Sequence, residues 1–290
     1  MDGAKPWLAG MLGLALVCLA PVSVAAETLI AETLIAETLI TEATGTQTRV
    51  AERSVVNSSD AVEAREIVHR ADEQMRGQSS YVVATMNIVR PDWTRSMSMK
   101  SWTKGQELSL VLVTAPAKDK GSVSLKRYRE MWNWVPAIER IIKIAPSMLS
   151  QSWMGSDFTN DDLINQSSIV VDYRHKLVQH ESIEGDDCFV IDAFAKPDAP
   201  VVWSRIRLWI SSRDYLQRKV EFFDEFDELV NTLTTSGIQE MGGRKLATKM
   251  VMSPADKPGQ RTELITHEAA FDFEIGDDFF SQQQMKALRD

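Results

Sequence analysis

YVVATMNIVRPDWTRSMSMKSWTKGQELSLVLVT, from Tyr81 to Thr114, is the stretch whose period decides the fold. Tyr81–Val89, Thr94–Thr103 and Glu107–Thr114 alternate apolar with polar residues or are β-branched, which is the two-residue period of a strand. Arg90-Pro91-Asp92 and Lys104-Gly105-Gln106 separate them and read as turns, because Pro presets φ and Gly tolerates the left-handed region. Three strands joined by tight turns predict antiparallel neighbours.

Working towards the C-terminus, the same pattern predicts shorter strands at Gly121–Leu125, Glu130–Trp134 and Arg140–Ile144. A break from Pro146 to Asn165 has room for a short helix or two. Strands then resume at Lys176–Ile183, Cys188–Ala195, Ser204–Ile210, Leu216–Phe223, Leu229–Ile238, Lys245–Met252 and Thr262–Phe271. Asp277–Lys286 reads as a closing helix with Phe279 and Phe280 turned inward. Consecutive short strands without alternating helices mean a mainly β domain built on one antiparallel sheet. A sheet of that many strands must curl or close.

Working towards the N-terminus, Ala64, Ile67, Val68, Ala71 and Met75 recur on one helical face. Asp60 and Glu63 stand at capping-box spacing, and Gly77 occupies the place where a helix ends. Arg65, Glu66, Arg70 and Glu73 mark the opposite face, so the helix is expected to lie on an apolar surface. Upstream, Ala-Glu-Thr-Leu-Ile occurs three times in succession (Ala26–Ile30, Ala31–Ile35, Ala36–Ile40), a period of five that suits neither helix nor strand. Residues 27–59 are therefore expected to be a weakly structured spacer. Lys5, the apolar run Trp7–Ala20 and the small residues before Ala25 and Ala26 read as a signal peptide, residues 1–26. The run is about 14 residues, short of the ~20 that span a bilayer. Cys18 lies inside the run behind Val17, which argues against a lipid anchor. The expected organisation is a signal peptide, a spacer and one folded domain, 60–290, exported to the periplasm.

Charge and cysteines exclude several classes. A net charge of −9 argues against a nucleic-acid surface. Cleavage of the signal leaves Cys188 alone, so no intrachain disulfide forms, and Cys188-Phe189-Val190-Ile191 reads as a buried apolar run. His69, His175, His180 and His267 have no metal-ligand spacing. Ser101-Trp102-Thr103-Lys104 matches a Ser-x-x-Lys pattern, but it sits in a strand and the companion motifs are missing. Asp157, Thr159 and Asp161 fill the first, third and fifth places of a calcium loop. Asp162 and Ser168 then stand where Gly and Glu are required, so capping of a helical turn is the better use of the carboxylates. No catalytic set, metal or cofactor is expected.

What remains is a concentration of soft apolar residues. Trp102, Trp132, Trp134, Met148, Leu149, Trp153, Met154 and Phe158 are the candidates for an apolar ligand cavity and its lid. Trp132 and Trp134 share one strand face. Met is flexible and polarizable, which suits a surface that fits variable apolar ligands, whereas a solid core is the competing reading. The segment Pro146–Phe158 is expected to act as the gate, with Met148, Trp153 and Met154 facing the interior.

Met75-Arg76-Gly77-Gln78-Ser79-Ser80, Trp132-x-Trp134-x-Pro136, Ile142-Lys143-Ile144 and the block Pro146-Ser147-Met148-Leu149-Ser150-Gln151-Ser152-Trp153-Met154-Gly155-Ser156-Asp157-Phe158 running on to Leu163 carry a resemblance. From about Asp60 onward the chain resembles the outer-membrane lipoprotein-sorting protein family, a LolA-like family distinct from the lipoprotein chaperone LolA itself. The resemblance implies an incomplete, half-open antiparallel β-barrel with helices plugging its mouth. It implies a carrier of lipid or lipoprotein acyl chains and, as a partner, an inner-membrane exporter of the resistance-nodulation-division type. The competing classes are an accessory subunit of such an exporter or envelope complex, with a solid core, and a lipid hydrolase with a nucleophile at the mouth.

Overall fold

A computed structural model describes residues 58–164, 168–199 and 201–288. The signal-peptide reading and the spacer reading up to residue 57 lie outside the described residues, while residues 58 and 59 belong to the first helix. The elements are α1 (Ser58–Arg76), β1 (Ser79–Val89), β2 (Thr94–Lys104), β3 (Leu108–Ala115), β4 (Val123–Arg127), β5 (Glu130–Val135), β6 (Arg140–Ile144), α2 (Asn160–Ile164), β7 (Tyr173–Ile183), β8 (Asp186–Ala195), β9 (Arg205–Ser211), β10 (Gln217–Phe223), β11 (Leu229–Met241), β12 (Arg244–Pro254), β13 (Arg261–Phe271) and α3 (Gln282–Ala287). Every strand expected from the sequence is present, with ends moved by up to three residues. β7 gains Tyr173 to His175 at its start, and β11 runs on to Met241.

All thirteen strands form one sheet in the order β6-β5-β4-β3-β2-β1-β13-β12-β11-β10-β9-β8-β7. Two antiparallel meanders, β1–β6 and β7–β13, are joined where β1 pairs with β13. β6 and β7 remain as the two edges, so the sheet is curled and not closed into a barrel.

The helix α1 lies on the inner face. Ala64, Ile67, Val68 and Ala71 share one buried cluster with Met86 and Ile88 of β1, Met97 of β2, Ile191 of β8 and Leu208 of β9. Those strands are far apart in the sheet order, which is possible only because the sheet wraps round the helix. The described part of the helix starts at Ser58. It ends at Gly77, whose φ is +65° and whose N–H bonds the carbonyl of Glu73. A Cβ there would stand 2.7 Å from the Asp272 carboxylate, which would have to shift, and the positive φ strains any residue other than Gly.

The outer face is buried in part by the C-terminal segment. A 3-10 turn at Asp277–Phe279 and then α3, capped by Ser281, press Phe280 and Met285 onto Leu108, Leu110 and Leu112 of β3 and Val123 and Leu125 of β4. β3 is therefore buried on both faces, which explains its run of apolar residues. Cys188 is buried against Val190 and Trp209, and burial pushes its thiol up to about 11, as expected for an inert packing residue.

Candidate functional site

α1 leaves part of the concave face uncovered, and the space is a cavity of about 280 Å³. Its walls are apolar. Val82 and Ala84 of β1, Met99 of β2, Val220 of β10, Leu233 of β11 and Leu264 of β13 point into it, together with Met75 from α1. Alternation explains the set, since each strand sends every second residue inward.

One end of the cavity is closed by aromatic side chains. Phe158, Tyr173, Trp203 and Phe222 line it there, with the Trp203 and Phe222 rings 5.3 Å apart. The Tyr173 hydroxyl donates to the Trp203 carbonyl at 3.0 Å, and the Trp203 Nε1–H donates to Asp162 at 2.8 Å. Asp162 also accepts from the Thr159 N–H at 2.8 Å, while its own N–H donates to the Thr159 hydroxyl at 3.0 Å. This is a capping box at the start of α2, with Thr159 as the cap. Burial raises the Asp162 carboxyl above its usual range.

The other end is polar. Asp72 and Arg76, one turn apart on α1, form an ion pair, and Gln106 donates to Asp72 at 3.3 Å. The hydroxyls of Ser80 and Thr103 bond one another at 2.6 Å. Beyond them the Lys126 ammonium donates to the Gln106 carbonyl at 2.9 Å. Burial, with a further contribution from Arg76, lowers Lys126 to about 8.

Of the eight residues expected to form the cavity and its lid, Phe158 lines it. The other seven do not, and parity explains the tryptophans. Trp102 follows Ser101, which points inward, so it faces outward and its ring lies 5.5 Å from Phe279. Trp132 and Trp134 stand opposite Leu125 and Val123 in the register, share their outer face, and join the cluster under α3. Met148 and Leu149 pack on Met131 and Ile144. Met154 packs against the inner cluster at the edge of a turn, with φ +50°.

Trp153 is only 2% exposed, is part of the inner core, and donates its Nε1–H to the Ser124 hydroxyl at 3.3 Å. Around it the chain is pinned. Arg90 holds both oxygens of Asp157 at 3.0 Å and donates to the Gly155 carbonyl at 3.0 Å. The Thr262 hydroxyl donates to Asp157 at 2.6 Å, and Arg95 donates to the Met154 carbonyl at 3.2 Å. The expected gate is thus a fixed floor in this structure. Asp157, the first residue of the supposed calcium loop, anchors that floor. Missing from the sequence-derived set are Leu208, Val220, Leu233, Met250, Met252 and Leu264 in the C-terminal meander. The Met250/Met252 alternation is the signal that points to them.

The model of a family described as "Uncharacterized protein" matches residues 105–287. No curated protein matches the chain. Among solved structures, it is similar to a DUF1329 family protein from Desulfovibrio piger at 25% identity and TM-score 0.72, covering 78% of this chain and 99% of that one. It is similar to a LolA superfamily protein from Nitrosomonas europaea at 25% identity and TM-score 0.67, covering 76% and 98%. An outer membrane lipoprotein-sorting protein domain from Vibrio parahaemolyticus shares the fold at 22% identity and TM-score 0.70, covering 78% and 99%.

Proposed function

From the premise that the chain belongs to the family whose model spans residues 105–287 and has the LolA-type fold of its structural neighbours, we propose that it is a carrier that shields acyl chains of a lipid or lipoprotein. The observation that carries this reading is the apolar cavity between α1 and the curled sheet. Burial of an acyl chain is worth ~0.8 kcal/mol per methylene. About ten buried methylenes therefore match a micromolar complex, at ~8 kcal/mol, before any polar contact is counted. Release then needs a receiver with a better site, not a chemical step, and the chain acts without enzymatic turnover.

The same reading places the carrier in the periplasm. Residues 1–26 are a signal peptide that is cleaved, 27–59 a spacer, and 60–290 the carrier domain. An inner-membrane exporter of the resistance-nodulation-division type is the proposed partner at one end of the route. The test is native mass spectrometry of protein purified from the cell envelope, followed by titration with a fluorescent fatty acid. Co-purified lipid and saturable probe binding support the carrier. Absence of both, or hydrolysis of an ester substrate that is lost on changing one Ser, Asp or His, overturns it.

A further inference from the structure

Three aromatic rings at one end of the cavity, those of Phe158, Trp203 and Phe222, are backed by fixed chain. Phe222 stands on β10 one inward step beyond Val220, in register with Ile206 of β9. Trp203 is held twice, by its ring N–H on Asp162 at 2.8 Å and by its carbonyl, which accepts from the Tyr173 hydroxyl at 3.0 Å. Phe158 follows Asp157, whose carboxylate Arg90 and Thr262 grip, and its own carbonyl accepts from the Trp153 N–H at 2.8 Å. Asp161 and Asp162 line the same end, and the two oxygens of Asp162 accept from the Trp203 ring and from the Thr159 N–H. The segment that the sequence suggests as a gate therefore braces a wall.

The strands show how far the space reaches before that wall. The inward residues of β1 that line it are Ser80, Val82 and Ala84, and the next, Met86, is fully buried in the core. On β2 the lining ends at Met99, opposite Ala84, and Met97 is buried in turn. From Ser80 to Ala84 is four residues of strand, ~13 Å, which matches an extended chain of about ten carbons. A volume of about 280 Å³ is at the small end of ligand pockets, which run from ~300 to 1,000 Å³, and so favours one extended chain over several.

We propose that Phe158, Trp203 and Phe222 form a length stop, which limits the part of an acyl chain that the carrier buries to about ten carbons. This rests on the carrier reading and adds chain-length selectivity, and the residues that set it, to that reading. Below the limit each methylene leaves water and raises affinity about fourfold. Methylenes beyond it stay in water outside the cavity and add nothing. The limit is one of reach, so it holds whichever end of the ligand enters first.

The experiment uses the mature protein with a bound fluorescent fatty acid, displaced by saturated fatty acids of about six to about eighteen carbons, each kept below its micelle concentration. The logarithm of affinity is expected to climb with chain length and then flatten near ten buried methylenes, at a break-point. Phe222→Leu recesses the wall and should move the break-point to longer chains. Val220→Phe, one step nearer on the same strand face, should move it to shorter ones. Phe158→Leu tests the wall from the loop side and should act as Phe222→Leu does, so a folding failure of one variant leaves the other. Affinity that climbs without a break through the longest chain refutes the stop. So does a break-point that is the same in wild type and variants, even where a variant binds every length more weakly. Either result leaves the carrier reading standing, whereas failure of every chain to displace or bind refutes both.

Discussion

Trp153→Ala separates a fixed floor from a moving gate. Trp153 is 2% exposed and packs in the inner core beside Phe158, Met99 and Val113. Large-to-small changes of a buried Trp cost ~3–5 kcal/mol. Loss of the indole N–H adds little, because the Ser124 hydroxyl it meets has a second partner in Asn133. For a domain of this size 1 kcal/mol shifts Tm by about 2–4 °C, so the variant should melt roughly 6–20 °C lower. Far-UV circular dichroism is the suitable probe, since it does not depend on the deleted fluorophore. Trp153→Phe keeps most of the volume and should cost under ~1.5 kcal/mol. Asp157→Asn weakens the largely buried Arg90–Asp157 pair beneath the same turn and should also lower Tm; complete loss of one partner of such a pair costs ~3–5 kcal/mol. The two sites are neighbours, so the double variant should lose less than the sum. If Trp153→Ala melts with the wild type while affinity for an acyl probe falls, the turn is a lid after all and the reasoning from burial fails.

Three further outcomes are expected. Met250→Trp projects bulk into the cavity from β12 and should lower acyl-probe affinity at least about tenfold with Tm nearly unchanged; unaltered binding places the ligand elsewhere. Lys126 is lowered to about 8 against an ordinary 10.5, so the unfolded chain binds more protons between those values and stability should rise with pH across them, by at most ~3 kcal/mol; the slope should flatten in Lys126→Met, measured by urea titration from pH 7.5 to 10.5. N-terminal sequencing of exported protein should begin at Ala26 or Glu27, and an intact Met1 refutes cleavage.

The fold was legible because its signals are local. A period of two, Pro or Gly at most of the turns and a helical stripe ending in Gly77 place α1 and all thirteen strands within a few residues. The site was less so. Trp102, Trp132 and Trp134 stand out in the sequence by residue type, but a strand residue faces the cavity by parity, and Ser101 fixes Trp102 on the outer face. That the outer face is apolar at all depends on α3 folding back over β3 and β4, a contact about 150 residues distant in sequence that no local pattern announces. In the sequence Leu233 and Leu264 are ordinary apolar residues of their strands. Their role follows only from the pairing of β1 with β13, which brings the two meanders round a common interior.

The cavity itself follows from α1. A helix that filled a closed barrel would need apolar residues on all sides. α1 is apolar on one stripe, and that stripe packs on the wall that includes β7 and β9, while Arg65, Glu66, Arg70 and Glu73 remain exposed. A helix with a wet face cannot sit at the centre of a sealed sheet, so the sheet stays open between β6 and β7. Part of the inner wall, with Val82, Ala84, Met99, Leu233 and Leu264, lies beyond the reach of the stripe and faces the cavity. One amphipathic helix therefore accounts for both the missing closure and the vacant apolar wall. Substituting Arg70 or Glu73 by Leu should draw α1 towards the centre and reduce acyl-probe binding without touching any cavity residue; unchanged binding would mean that the sheet, and not the helix, sets the width of the space.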